Sequence, residues 1–127
     1  MTTMVCFRAA GAAYCLPLQA ARSVRTAADV IPLPDTAADV AGIIPGDPPL
    51  TVISPLNASG RHILVIETQG QAFGLLVDRV TGLRQVATAD IRPAPKGQGR
   101  HRLVSGTIDA DDGIVFVADP AALAGRL

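Results

Sequence analysis

The stretch Arg61–Pro95, RHILVIETQGQAFGLLVDRVTGLRQVATADIRPAP, decides the fold. Ile63–Thr68 is β-branched and apolar, and Gln71–Val77 is a second apolar run. Gln69-Gly70 between them is a hairpin turn signal, so the stretch reads as two or three short strands, the first two an antiparallel hairpin. Ile63, Val65, Leu75, Val77 and Val80 are the core candidates, though some apolar positions of this kind can instead line an exposed groove. Past Val77 the stretch reads as turn-rich. Asp78 could be a catalytic carboxylate, but its place at a strand end favours bonding to backbone amides. Ile91–Gly99 holds two prolines and two glycines and reads as an irregular loop.

Working outward, Val5–Ala9 and Ala13–Pro17 form a hairpin about Gly11. Its symmetry sets Phe7 opposite Tyr14 and Cys6 opposite Cys15. Gln19–Ser23 reads as one helical turn leading into a strand near Val24. Ile31 and Leu33 each precede a proline, which makes Asp29–Pro34 extended. Asp35–Ala41 reads as a short helix closed by Gly42, and Pro45–Pro49 as a loop. Leu50–Ile53 is a strand that Pro55 ends. Leu103–Asp109 and Ile114–Ala118 pair across Asp111-Asp112-Gly113. Asp119 caps a terminal helix that begins at Pro120. Eight to ten short strands at regular spacing predict an all-β chain built as barrels or a sandwich. No internal repeat, long linker or low-complexity segment is legible.

With 127 residues the chain is one domain, 1–127, large enough to bury a core. It is 49% hydrophobic but only 3% aromatic, with no Trp, so Val, Ile, Leu and Ala must fill that core. Eleven basic and eleven acidic side chains cancel, which leaves no net field toward nucleic acid or an anionic membrane. The start lacks the pattern of a signal peptide, and the apolar runs are strand-sized, far below the roughly 20 residues of a membrane span. The expected setting is therefore cytoplasmic and soluble. Two cysteines without a CxxC pair, and two histidines, favour packed thiols over a disulfide or a zinc site.

No residue set carries strong chemistry. Asp109, Asp111 and Asp112 supply hard oxygen ligands, but their spacing does not fit a calcium loop and they read as a solvated hairpin tip. Ser54, Ser59 and Ser105 lack a nucleophile-elbow context, and neither His62 nor His101 is linked to them by spacing. Lys96, Arg100, His101 and Arg102 form a basic loop without aromatic residues for stacking bases. No catalytic residue, metal or cofactor is predicted. A small β-barrel module that binds nucleic acid through Lys96–Arg102 is the alternative from a different class.

From Val5 to Leu123 the chain resembles the CheW family of chemotaxis adaptors. The resemblance runs through Phe7, Gly11 and Tyr14, Leu16-Pro17-Leu18, Ile31-Pro32-Leu33-Pro34 and Gly42-Ile43-Ile44. It is clearest at Gly74-Leu75-Leu76-Val77-Asp78-Arg79-Val80. It continues through Ile91–Pro95 and from Val104-Ser105-Gly106 to Asp119. It implies two small SH3-like five-stranded β-barrels packed together, with a groove between them and a short C-terminal helix. It implies no enzymatic activity and no cofactor. The implied partners are the regulatory domain of a CheA-type histidine kinase and the cytoplasmic tip of a chemoreceptor, with neither nucleic acid nor membrane insertion. The implied partner-binding positions are Ala21, Ser23, Gly42, Gly46, Gly74 and Leu83, the glycines admitting a partner's backbone. Where the family carries Asn-Leu-Arg-Gly, this chain reads Pro45-Gly46-Asp47-Pro48, and Ser23 stands where the family carries a glutamate. The two charges thought to pair are lost together. That spares the fold an unpaired charge and implies a retuned contact surface, or a paralogue that binds only one partner.

Overall fold

The computed structural model describes residues 1–33, 39–58, 60–93, 103–111 and 113–127. Eleven strands lie among them: β1 (Thr2–Ala9), β2 (Ala12–Pro17), β3 (Ala21–Thr26), β4 (Val40–Ile44), β5 (Leu50–Ile53), β6 (His62–Thr68), β7 (Gln71–Val77), β8 (Arg79–Val86), β9 (Arg92–Pro93), β10 (Val104–Ala110) and β11 (Gly113–Ala118). The helix α1 (Pro120–Ala124) follows, with the Asp119 carboxylate accepting from the Ala121 amide at 3.0 Å. The expected hairpins and cap are present.

Two expected elements are corrected. The turn-rich reading beyond Val77 gives way to the eight-residue strand β8. Of the helix expected over Asp35–Ala41, residues 35–38 lie outside the described part, while Val40 and Ala41 belong to β4.

The strands form two sheets, ordered β8-β1-β2-β11-β10-β9 and β3-β6-β7-β5-β4. Each curls into a small SH3-like barrel, and one bent segment closes each. In the second barrel β3 pairs with β6. After a 3-10 turn at Ala27–Asp29 the same chain returns at Ile31 to exchange hydrogen bonds of 2.7 and 2.9 Å with Ile43 on β4. In the first barrel β8 pairs with β1. After a 3-10 turn at Thr88–Asp90 its continuation β9 pairs with β10.

The two closures expose a repeat hidden in the sequence. Both sheets run edge strand, hairpin, parallel join, hairpin, and the parallel joins are β2–β11 and β5–β7. Both central hairpins turn on a left-handed pair, Ala10-Gly11 and Gln69-Gly70. That conformation matches strand twist and suits glycine at its second place. The row Gly82–Cys6–Cys15–Val117–Gly106 across the first barrel corresponds to Ser23–Val65–Gly74–Val52–Gly42 across the second. The sequence trace is faint, TAADVIP at Thr26–Pro32 against ATADIRP at Ala87–Pro93. The repeats exchange their hairpins. β1–β2 completes the barrel of β8–β11, and β6–β7 completes that of β3–β5.

Side chains alternate between two burial sites along each central strand. On β1, Met4 and Cys6 face the interior of the first barrel, while Val5, Phe7 and Ala9 face a core shared by both barrels. On β6, Ile63 and Val65 face the interior of the second barrel, while Leu64 and Ile66 face the shared core. Two buried faces explain why Ile63–Ile66 is apolar throughout rather than alternating. The expected core residues Ile63, Val65, Leu75 and Val77 are buried, and Val80 is half-buried against the shared core. Phe7 and Tyr14 face each other across the hairpin and stack at 5.5 Å, with Phe116 tilted against Tyr14 at 5.6 Å.

Candidate functional site

The seam between the barrels is one place where the sheets present apolar surface to solvent. β8 lies against β6, and β3 is the neighbour of β6, so two edge strands flank the same side of the seam. Leu83 on β8 registers with Val5, and Val5 with Leu16, both on the shared-core face. Val24 on β3 registers with Leu64 on that same face. At both edges the apolar face therefore runs out into water. Leu83 is 65% exposed and Val24 48% exposed. The two residues are equivalents under the repeat, each one place past a β-bulge. A paired set of exposed apolar side chains at an inter-barrel seam is a feature expected of a protein-docking surface.

The six predicted partner positions do not gather in one patch. Ala21 registers with Ile66 and packs half-buried against the shared core, so it stands with Leu83 at the seam. Ser23 is exposed but registers with Val65, on the opposite face of the second sheet. Gly46 is exposed in the turn between β4 and β5. Gly42 and Gly74 are buried, and the reason given for them is corrected: the room left by their missing side chains is filled from within the chain. A Cβ on Gly42 would meet the Ile31 carbonyl oxygen that closes the second barrel, and one on Gly74 would stand 2.7 Å from Ile63 Cγ2. Both glycines belong to the narrow inner row of that barrel. Val24 was not anticipated. Its signal was a lone apolar residue in the otherwise polar run Arg22–Thr26.

Other candidates are absorbed into the fold. Asp78 sits where the chain crosses from β7 to β8. Its carboxylate accepts from the Ala10 amide at 2.9 Å and the Gly60 amide at 3.2 Å, as expected of a turn residue. His62 Nδ1 lies 3.1 Å from the Asp78 carbonyl oxygen. The Ser105 hydroxyl donates to the Val117 carbonyl at 3.4 Å, and the Ser54 amide to the Asp39 carbonyl at 2.7 Å. The Asp109 carboxylate is engaged by Arg92 at 3.1 Å. Ser59, Asp112 and the Lys96–Arg102 loop lie outside the described residues. Among the described residues there is no group of three metal-ligating side chains, and no helix is long and apolar enough to cross a membrane.

Cys6 and Cys15 are free thiols in direct register, Cys15 buried and Cys6 half-buried. Burial pushes the Cys15 thiol up to about 12, the neighbouring Cys6 adds to this, and Arg84 opposes it. Burial likewise raises Cys6 against the opposing Arg84 charge. A raised thiol pKa means little thiolate near neutral pH, so both are poor nucleophiles.

The model of the CheW-like domain family matches residues 50–127, from β5 to the end of the chain. A chemotaxis protein CheW of Rhizobium meliloti (strain 1021) is 26% identical over 102 residues, which cover 72% of this chain and 66% of that protein. Among solved structures, the scaffolding protein TtCheW from Thermoanaerobacter tengcongensis superposes with a TM-score of 0.80 at 23% identity. The superposition covers 93% of this chain and 88% of that one, a likeness of fold.

Proposed function

This chain belongs to the CheW-like domain family, and from there we propose that it is a non-enzymatic adaptor that holds signalling proteins together in bacterial chemotaxis. The observation that carries this reading is the seam, with exposed Leu83 and Val24 at equivalent places on two edge strands. Such a surface offers apolar area without charge, which suits a groove that takes the apolar face of a helix. The proposed partners are the regulatory domain of a CheA-type histidine kinase and the cytoplasmic tip of a chemoreceptor, which places the adaptor in the cytoplasm. Ala21 and Leu83 are the proposed seam contacts. Ser23 and Gly46 are proposed contacts on the second barrel, with Gly42 and Gly74 holding that barrel's shape beneath them.

Calorimetric titration of the intact chain with a CheA-type regulatory domain, and separately with a receptor-tip hairpin, tests the reading. Binding to both is expected. Leu83→Glu is expected to weaken it by about tenfold or more, since a charge in an apolar contact costs over 1.4 kcal/mol. The side chain is exposed, so the variant folds. Absence of binding at several hundred micromolar, roughly −5 kcal/mol, would sink the adaptor reading. Binding to one partner only would identify a paralogue specialised by the altered Ser23 and Pro45–Pro48 region.

A further inference from the structure

The inner face of the first barrel opens into a cavity of about 490 Å³ whose lining includes Arg8, Arg79, Arg84 and Thr81 over a floor of Ala13 and Val115. No carboxylate lines it among the described residues. In a chain whose charges cancel overall, three guanidinium groups round one concavity are a local imbalance. Arg8 and Arg79 are register partners on β1 and β8. Like charges set directly opposite on neighbouring strands repel each other. Arg84 reaches the same space four residues along β1, where it opposes the effect of burial on Cys6.

The rest of the molecule supplies the contrast. Arg22, Arg25, Arg92 and Arg126 each hold a carboxylate, at 3.2, 3.5, 3.1 and 3.1 Å. Among the described residues the Arg8 side chain donates only to the Gly11 carbonyl, and neither Arg79 nor Arg84 is in an ion pair. The second barrel is the better comparison, because the repeat puts Glu67 where the first has Arg8 and Arg25 where it has Arg84. There Glu67 pairs with Arg22 and Arg25 with Asp29, so the equivalent mouth is neutralised from within. Arg84 also borders a neighbouring cavity that holds Asp90 and Asp109, but Asp109 is taken by Arg92.

We propose that the mouth of the first barrel is an anion site that takes inorganic phosphate or a small phosphomonoester through Arg8, Arg79 and Arg84. A planar guanidinium donates two parallel hydrogen bonds to a pair of oxygens, and a phosphate offers three or four oxygens to several such forks. The cavity has the volume of a small-molecule site, roughly 300–1,000 Å³. Thr81 adds a hydroxyl, and the apolar floor suits the organic part of an ester. The bound anion removes the Arg8–Arg79 repulsion. The site is separate from the seam, and its failure would leave the adaptor reading untouched.

The test is nuclear magnetic resonance titration of the intact chain with inorganic phosphate, and then with glycerol phosphate, at constant ionic strength. Saturable shifts are expected at the side-chain Nε–H groups of Arg8, Arg79 and Arg84. In the Arg79→Gln/Arg84→Gln double variant, affinity falls by roughly a hundredfold, about tenfold for each charge-assisted contact. Arg61→Gln, an arginine outside the cavity, keeps wild-type affinity. Without phosphate, Arg79→Gln unfolds at the same or a higher denaturant concentration than wild type, which separates loss of binding from loss of fold. Shifts that grow linearly without saturating, or equal affinity in wild type and the double variant, would overturn the proposal.

Discussion

A Cβ added at Gly42 would press on the Ile31 carbonyl oxygen, and that oxygen is fixed by the Ile43 amide at 2.9 Å. A Cβ at Gly74 would press instead on the Ile63 and Val52 methyl groups at 2.7 and 3.1 Å. Side-chain ends yield more easily than hydrogen-bonded backbone. Gly42→Ala is therefore expected to destabilise more than Gly74→Ala, both within about 1–3 kcal/mol, while Gly46→Ala, whose Cβ would stand 3.3 Å from the Pro48 carbonyl oxygen on an exposed turn, is expected to cost less than about 1 kcal/mol. Denaturant unfolding of the three variants checks the order, and a Gly46 effect larger than the other two would refute it. The buried Cys15 gives a second expectation. Its folded pKa lies above the unfolded value of about 8.5, so the folded state favours the neutral thiol. That contribution is complete below the unfolded value and is lost as pH climbs toward 12. Stability is expected to fall between about pH 8.5 and about pH 12, with a shallower slope in Cys15→Ala. Equal slopes would show that another group governs the alkaline decline.

At the scale of elements, Asp78 joins what the chain keeps apart in sequence. Its carboxylate ties the β1–β2 turn at Ala10 to Gly60 just ahead of β6, while its amide donates to the Arg8 carbonyl at 2.9 Å. Asp78→Ala removes an acceptor from two amides, one exposed and one partly buried, and is expected to cost about 1–2 kcal/mol by thermal unfolding. Asp78→Asn keeps one acceptor oxygen and is expected to lose less; an equal loss would assign the effect to charge rather than geometry. The hairpins were legible because their signals are local: Gln69-Gly70 and Gly11 at turns, alternating or apolar runs beside them, and Asp119-Pro120 at the helix start. β8 was hidden because Thr81, Gly82 and Gln85 are exposed on an edge strand bent by a bulge, so no apolar period marks it. The buried glycines were misread for a related reason. Whether the space beside a glycine is filled by a partner or by the chain itself depends on strands far away in sequence. Val24 escaped notice because its exposure follows from being at a sheet edge, and strand order is not written in a single strand.

Across the whole molecule, exchange of hairpins means that neither barrel is encoded by a continuous half of the chain. A cut in the loop between Leu56 and Arg61 gives an N-terminal piece that holds β1–β5 and a C-terminal piece that holds β6–β11 and α1. Each piece then owns strands of both barrels and finishes neither. The expectation is that each piece alone lacks cooperative unfolding and that an equimolar mixture regains it, read by circular dichroism during a denaturant series. One piece folding cooperatively by itself would contradict the exchange. The intact chain is accordingly expected to melt as a single unit, because the shared core takes residues from both sheets.

The exchange also orders events during synthesis. The first hairpin is complete at Pro17, yet its parallel neighbour β11 ends at Ala118. At roughly 5–20 residues per second, a ribosome needs about 5–20 s to make the intervening chain. For that interval Tyr14 waits without β11, whose Phe116 is its register partner and packs against its ring. The emerging polypeptide is thus most vulnerable to aggregation at its beginning, and chaperones that bind nascent chains would find their target there.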